Sequence, residues 1–314
     1  MRSSAPLPKA VEQHAHSHVH GGGASPRLGW ALVLTLAFAL VEFAGGIWSG
    51  SLALMSDAGH MFLDSFALAL AFFASWIARR PASPSHSYGL ARAEVIAALC
   101  NGLGMLAVIL LIVVEAIERL QNPAAVAGAS VVAIAFLGLA VNVVVAMLIS
   151  RGERTLNTRA ALVHVLGDLL GSIAALIAGA VIYFTGWLPI DPILSLAIAV
   201  LILFSTVTLL RDVLHLIMEG VPREIALDAV ARELVALPGV QGVHDLHVWT
   251  IASGRVAMTA HLNVTDLEEW PHLLERARRM LHDQFEIDHV TLQPEAIHGI
   301  RPPYRPAINI IPKR

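Results

Sequence analysis

Two short spacings carry the chemistry of this sequence: His60 with Asp64 in Asp57-Ala58-Gly59-His60-Met61-Phe62-Leu63-Asp64, and His164 with Asp168 in His164-Val165-Leu166-Gly167-Asp168. On a helix, an i,i+4 spacing stacks both side chains on one face, one turn apart. Two such faces turned toward each other offer two imidazole nitrogens and two carboxylate oxygens. That tetrahedral set suits Zn²⁺ and tolerates Co²⁺ or Cd²⁺, whereas Mg²⁺ wants six oxygens and Cu⁺ wants sulfur. Histidine ligates a metal only when neutral, so metal entry expels protons and the same residues can exchange a metal ion for protons. Asp57 lies one turn before His60, where it either lines the exit path or holds the imidazole in place.

Both pairs fall inside long apolar runs. Of the 314 residues 56% are hydrophobic and 14% charged, and the mean hydropathy is +0.67, which is a membrane-protein composition. Six stretches are long enough to cross a bilayer: roughly 28 to 49, 53 to 77, 93 to 116, 126 to 149, 160 to 184 and 190 to 210. An Asp near the bilayer centre costs about 2.5 to 3.5 kcal/mol, so ionisable pairs in two spans demand a compensating partner, and a divalent cation is one. The blander reading is two polar pairs bonding neighbouring helices, but a repeated HxxxD in separate spans is hard to reach by packing alone. Basic residues alternate between loops, with Arg27, Arg79, Arg80, Arg92, Arg151, Arg154 and Arg159 on one side and Arg119 on the other. The positive-inside rule then places both termini in the cytoplasm.

The net charge of −3 and the scattering of basic residues to span ends give no footprint for nucleic acid. A single cysteine, Cys100, excludes an intrachain disulfide and a Cys-rich zinc finger. Residues 1–27 are polar, and no cleavable signal peptide is expected there. The run His14, His16, His18 and His20 within them can collect metal loosely or serve as a solvated tail. Glu42, Asn101 and Asn142 read as interhelical hydrogen-bonding groups, and Gly45, Gly46, Gly167, Gly171 and Ala175 as small residues that let helices approach.

After Glu219 the hydropathy collapses. Helical spacing over 223 to 236, strands over 243 to 251 and 255 to 264, a helix over 267 to 285 and a strand over 287 to 293 predict an αββαβ domain. The expected fold is an α-helical membrane protein with six transmembrane helices plus a small α+β cytoplasmic domain. Its segments are 1–27, a His-rich flexible tail; 28–212, the six-helix domain; 213–300, the cytoplasmic domain; and 301–314, a loose tail. His244, His261 and His289 lie on or beside the predicted strands, with Glu295 following. They are candidates for a second metal or ordinary sheet histidines; His261 alternates with the apolar Val256, Met258, Leu262 and Val264 and so projects away from the core. His247, beside Trp249, reads as structural.

With both pairs in place, the chain resembles the cation diffusion facilitator family, particularly its zinc-transporting bacterial members. The likeness extends to Ser49-Gly50-Ser51-Leu52-Ala53-Leu54, His86-Ser87-Tyr88-Gly89 before Arg92-Ala93-Glu94, and His244-Asp245-Leu246-His247-Val248-Trp249. It implies a homodimer in a bacterial inner membrane, a metallochaperone-like cytoplasmic domain, and metal–proton antiport. Zn²⁺ would be the transported substrate and a regulatory ligand. Manganese-selective members carry Asp at the position of His60, so the resemblance implies zinc here. Some relatives bind metal in the second loop through two histidines, but Leu90 stands in place of the second. Arg92 is expected to pair with an acid below span six, for which Glu219 is the candidate. The rival classes are an intramembrane metalloprotease, for which the HExxH motif is missing, and a channel or metal sensor, which would show no proton-coupled turnover.

Overall fold

A computed structural model describes residues 26–150, 156–252, 254–296 and 311–312, with side chains of 26–32, 156–161, 163, 164, 311 and 312 excepted. The histidine run at 14 to 20 lies outside the described residues. Six long helices come first: α1 (Pro26–Ser49), α2 (Leu52–Ala78), α3 (Ala93–Gln121), α4 (Gly128–Ser150), α5 (Leu156–Thr185) and α6 (Ile190–Ile217). Five are long and apolar enough to span a bilayer over their described lengths, and the apolar stretch Val33–Ser49 of α1 supplies the sixth. Large apolar side chains such as Phe72, Leu110, Leu111, Phe136 and Phe204 point outward, the surface that a hydrocarbon solvent permits.

The turns between spans are local. Gly50 sits at φ 73, a left-handed conformation that costs glycine nothing, and it ends α1. Ser51 then caps α2, its Oγ accepting from Leu54 N at 3.3 Å. Pro123 follows the end of α3, and Gly186, at φ 69, follows the end of α5.

The backbone divides into two compact units, Met1–Phe62 with Leu111–Ala199 and Leu63–Leu110 with Val200–Arg314. In the first unit α4 and α5 form a close hairpin. A Cβ at Gly128 would lie 2.8 Å from Tyr183 N, and one at Gly179 would lie 2.9 Å from Val132 N. Asn142 Nδ2 donates to Ser172 Oγ at 3.1 Å across the same hairpin. Gly45 of α1 faces Ile134 of α4, and Phe38, Ala39 and Met61 share a buried cluster edged by Val141.

The second unit holds the C-terminal α+β domain: α7 (Leu227–Ala236), β1 (Val240–Ala252), β2 (Arg255–Val264), α8 (Trp270–Phe285), β3 (His289–Ala296) and β4 (Ile311–Pro312). The αββαβ order expected from periodicity is observed, with a short further strand, β4, after it. The sheet runs β3-β2-β1-β4; β1 and β2 form an antiparallel hairpin, and α8 returns the chain so that β3 pairs parallel with β2. Val230 and Leu234 of α7 and Leu273, Ala277 and Leu281 of α8 bury against Val248, Met258 and Leu262, one helical stripe each on the apolar face of the sheet. Ile311 and Pro312 pair with Val243 and Gly242, within the segment whose prolines predict a loose tail.

Candidate metal centre

His60 and Asp64 occupy one face of the uninterrupted helix α2, and both are half-buried. Asp168, on α5, is 1% exposed. His164 lies in α5 one turn earlier, and its side chain is outside the described set. Within the first unit, α2 packs on α5: Ala53, Leu54 and Ala175 share a buried cluster. Further along, a Cβ at Gly171 would overlap Asp57 Oδ1 and come within 2.8 Å of Asp57 Cγ. With glycine at 171 the carboxylate of Asp57 lies against the α5 backbone, in space that a Cβ would take. As residue numbers climb in α2 they fall in α5, so the two helices run antiparallel. Gly167, by contrast, faces no described atom within 4 Å. The expectation that it lets helices approach is not met among the described residues, where Gly167 is exposed on α5.

Asp57 is 1% exposed and Glu42, from α1, is 0% exposed. Glu42, Asp57 and Asp168 lie within electrostatic range of one another. The carboxyl of Glu42 stands within side-chain hydrogen-bonding reach of Asp57, a bond that forms when one of the two carries a proton, and this is the interhelical role its sequence context predicts. Asn142 acts so too, through Ser172.

In the C-terminal domain, His244 of β1 stands opposite His261 of β2. Glu295 of β3 joins them, with His244 Nε2 at 2.9 Å from Oε2 and His261 Nδ1 at 2.7 Å from Oε1. Burial acts to raise the Glu295 pKa, but the hydrogen bonds from His261 and His244 outweigh it and hold the carboxyl below its ordinary range. Asp245 completes the group: ligand atoms of His244, Asp245 and His261 all lie within 4.8 Å of one another. Sequence reasoning missed Asp245, because strand alternation sends it to the face opposite His244. A bulge between His244 and His247, with Asp245 at φ 48, overrides that alternation. His289 is not part of the group. Parallel pairing sets it beside Ala257, at the far end of β3 from Glu295, and its ring meets Tyr88 edge-to-face at 5.7 Å. His247 is exposed on β1.

In the same unit, Arg92 Nη2 donates to Glu219 Oε1 at 3.1 Å, with the side chains 50% and 59% exposed. Glu219 adopts φ 57 where α6 gives way to the C-terminal domain.

Residues 30–218 match the family described as Cation efflux transmembrane domain, and residues 222–297 match Cation efflux protein, cytoplasmic domain. Among curated relatives, the Zinc transporter ZitB of Escherichia coli is 41% identical over 290 residues, covering 90% of this chain and 92% of that protein. The Metal cation efflux system protein CzcD of Cupriavidus metallidurans is 39% identical over 280 residues, covering 88% and 89%. The Cadmium, cobalt and zinc/H(+)-K(+) antiporter of Bacillus subtilis is 37% identical over 285 residues, covering 88% and 91%. With membrane and C-terminal parts both matched in order, and identity of this level running nearly end to end, the chain belongs to the cation efflux family, the cation diffusion facilitators.

Proposed function

We propose that this protein exports Zn²⁺, with Co²⁺ and Cd²⁺ as further substrates, from the cytoplasm in exchange for protons through one intramembrane site made by His60, Asp64, His164 and Asp168. The carrying observation is the meeting of Asp57 with Gly171. From that contact, three residues forward on α2 and three back on α5 bring His60 level with Asp168. The next turn of each helix carries Asp64 and His164. The supporting electrostatics are those of Glu42, Asp57 and Asp168, buried carboxylates whose mutual repulsion a divalent cation or protons would relieve. The relatives named above as zinc transporters and as a metal/proton–potassium antiporter handle the same class of cargo.

In this reading the transport helices lie within 28–212, residues 213–300 form a cytoplasmic domain, both termini are cytoplasmic, and the working unit is a homodimer in a bacterial inner membrane. Arg92 and Glu219 tie the cytoplasmic domain to the start of α3. His244, His261 and Glu295, with Asp245 beside them, fit a second Zn²⁺ as a regulatory ligand: the set is two imidazoles and two carboxylates at close quarters. His60 and His164 lose protons as metal loads from the cytoplasm and regain them after release on the far side, while the aspartates balance the charge of the ion.

The test is zinc uptake into inverted membrane vesicles under an imposed pH gradient. Uptake driven by an acidic lumen and stopped by a protonophore is expected. Absence of uptake, or uptake indifferent to the gradient, overturns the proposal.

A further inference from the structure

Apart from the proposed ligands, one buried carboxylate ties three helices of the first unit together. Asp191, in the first turn of α6, is 0% exposed. Its Oδ1 accepts from Ser51 Oγ at 2.5 Å and from Ala53 N at 3.3 Å, and its Oδ2 accepts from Leu52 N at 2.6 Å. Those N–H groups open α2, which has no acidic residue in its own first turn. The positive end of α2 is therefore met by a carboxylate from another helix. Arg119, in the last turn of α3, completes the clasp. Its Nη1 donates to the Gly50 carbonyl and stands 4.0 Å from Asp191 Oδ2, and its Nε donates to Glu115 at 2.8 Å.

We propose that Asp191 is a positioning residue for zinc transport: by capping α2 from α6, with Arg119 as its counter-ion, it sets the height and rotation of α2 and so the direction in which His60 and Asp64 face. The inference rests on those two residues being ligands. His60 follows Leu52 by eight residues, about 12 Å of helix. One residue of rotation about the axis is about 100°, enough to carry the His60 face off α5. Ser51 by itself reaches only Leu54 N, so the N–H groups of Leu52 and Ala53 depend on Asp191. No local cap in α2 replaces it.

The experiment uses the full chain in proteoliposomes, with initial zinc flux measured against zinc concentration. Equilibrium zinc binding is measured in parallel, with the cytoplasmic cluster removed by His261→Ala. Asp191→Ala is expected to raise the zinc KM and the zinc Kd by about 10- to 100-fold, the usual range for losing a group that orients a metal ligand. Asp191→Asn, which keeps the shape and one acceptor oxygen, is expected to recover part of that loss. Wild-type KM and Kd in Asp191→Ala overturn the inference. A fall in maximal rate with KM and Kd unchanged also overturns it, because Asp191 would then serve the moving step. Should Asp191→Ala not fold, Ser51→Ala decides on the same readouts: a few-fold rise in both supports the inference, and unchanged values sink it. Failure of the wild type to move zinc is a different result, which removes the transport reading and this inference with it.

Discussion

Asp168 is a carboxylate almost wholly withdrawn from solvent, and in the proposed site a cation or protons would balance its charge. Asp168→Ala is therefore expected to abolish zinc flux while leaving a dimer in detergent, as read by vesicle uptake and size-exclusion chromatography; wild-type flux would remove Asp168 from the site. His60→Asp replaces a nitrogen ligand with oxygen and should widen the metal range toward Mn²⁺ in a competition assay, whereas unchanged selectivity would place discrimination elsewhere. Glu295 lies outside the membrane helices and titrates below its ordinary value of 4.5. A depressed carboxylate contributes stability that is fully present above the unfolded value and is lost as pH falls through the folded one. Amides of β1, β2 and β3 should thus be better protected from hydrogen exchange in the wild type than in Glu295→Gln at neutral pH. The difference should shrink as the pH falls below 4.5 and vanish once Glu295 is protonated in the folded protein.

At the scale of elements, α5 presents two glycines one turn apart that do different things. Gly171 admits Asp57, and Gly167 meets no described atom within 4 Å. Gly171→Val would drive its side chain into the buried carboxylate of Asp57 and is expected to cost about 1 to 3 kcal/mol, with zinc flux lost. Gly167→Ala should be neutral or stabilise by up to about 1 kcal/mol, because it adds helix propensity without a clash. Thermal unfolding in detergent distinguishes them, and equal shifts for the two variants would contradict the packing described. The clasp at Asp191 belongs to this scale too. It holds the start of a helix whose proposed ligands, His60 and Asp64, begin about two turns further on.

For the whole molecule, the six spans turn their apolar side chains outward, and the C-terminal domain buries its own core between two helices and a sheet. Arg92 and Glu219 link the start of α3 to the end of α6 within one unit, but both are half-exposed. Such a pair contributes at most about 1 kcal/mol. Glu219→Gln should therefore move the melting temperature little, and high salt should erase the difference; a large salt-independent loss would show that Glu219 holds more than this ion pair.

Local periodicity was enough to determine the six spans, the αββαβ order and the two HxxxD faces, since 3.6- and 2-residue repeats and i,i+4 spacing are properties of a single segment. The rest depended on which segment lies against which. Gly167 and Gly171 are alike in sequence, and only the neighbour α2 distinguishes them. Glu295, rather than His289, reaches the histidines of β1 and β2 because the parallel register of β3 sets it there. Asp245 joins them through a bulge that breaks strand alternation. Asp191 is singled out by no spacing in the sequence, and its role at the start of α2 is visible only in the fold. Contacts between distant segments arise from packing, which no local pattern encodes, and here packing decided which polar groups share a site.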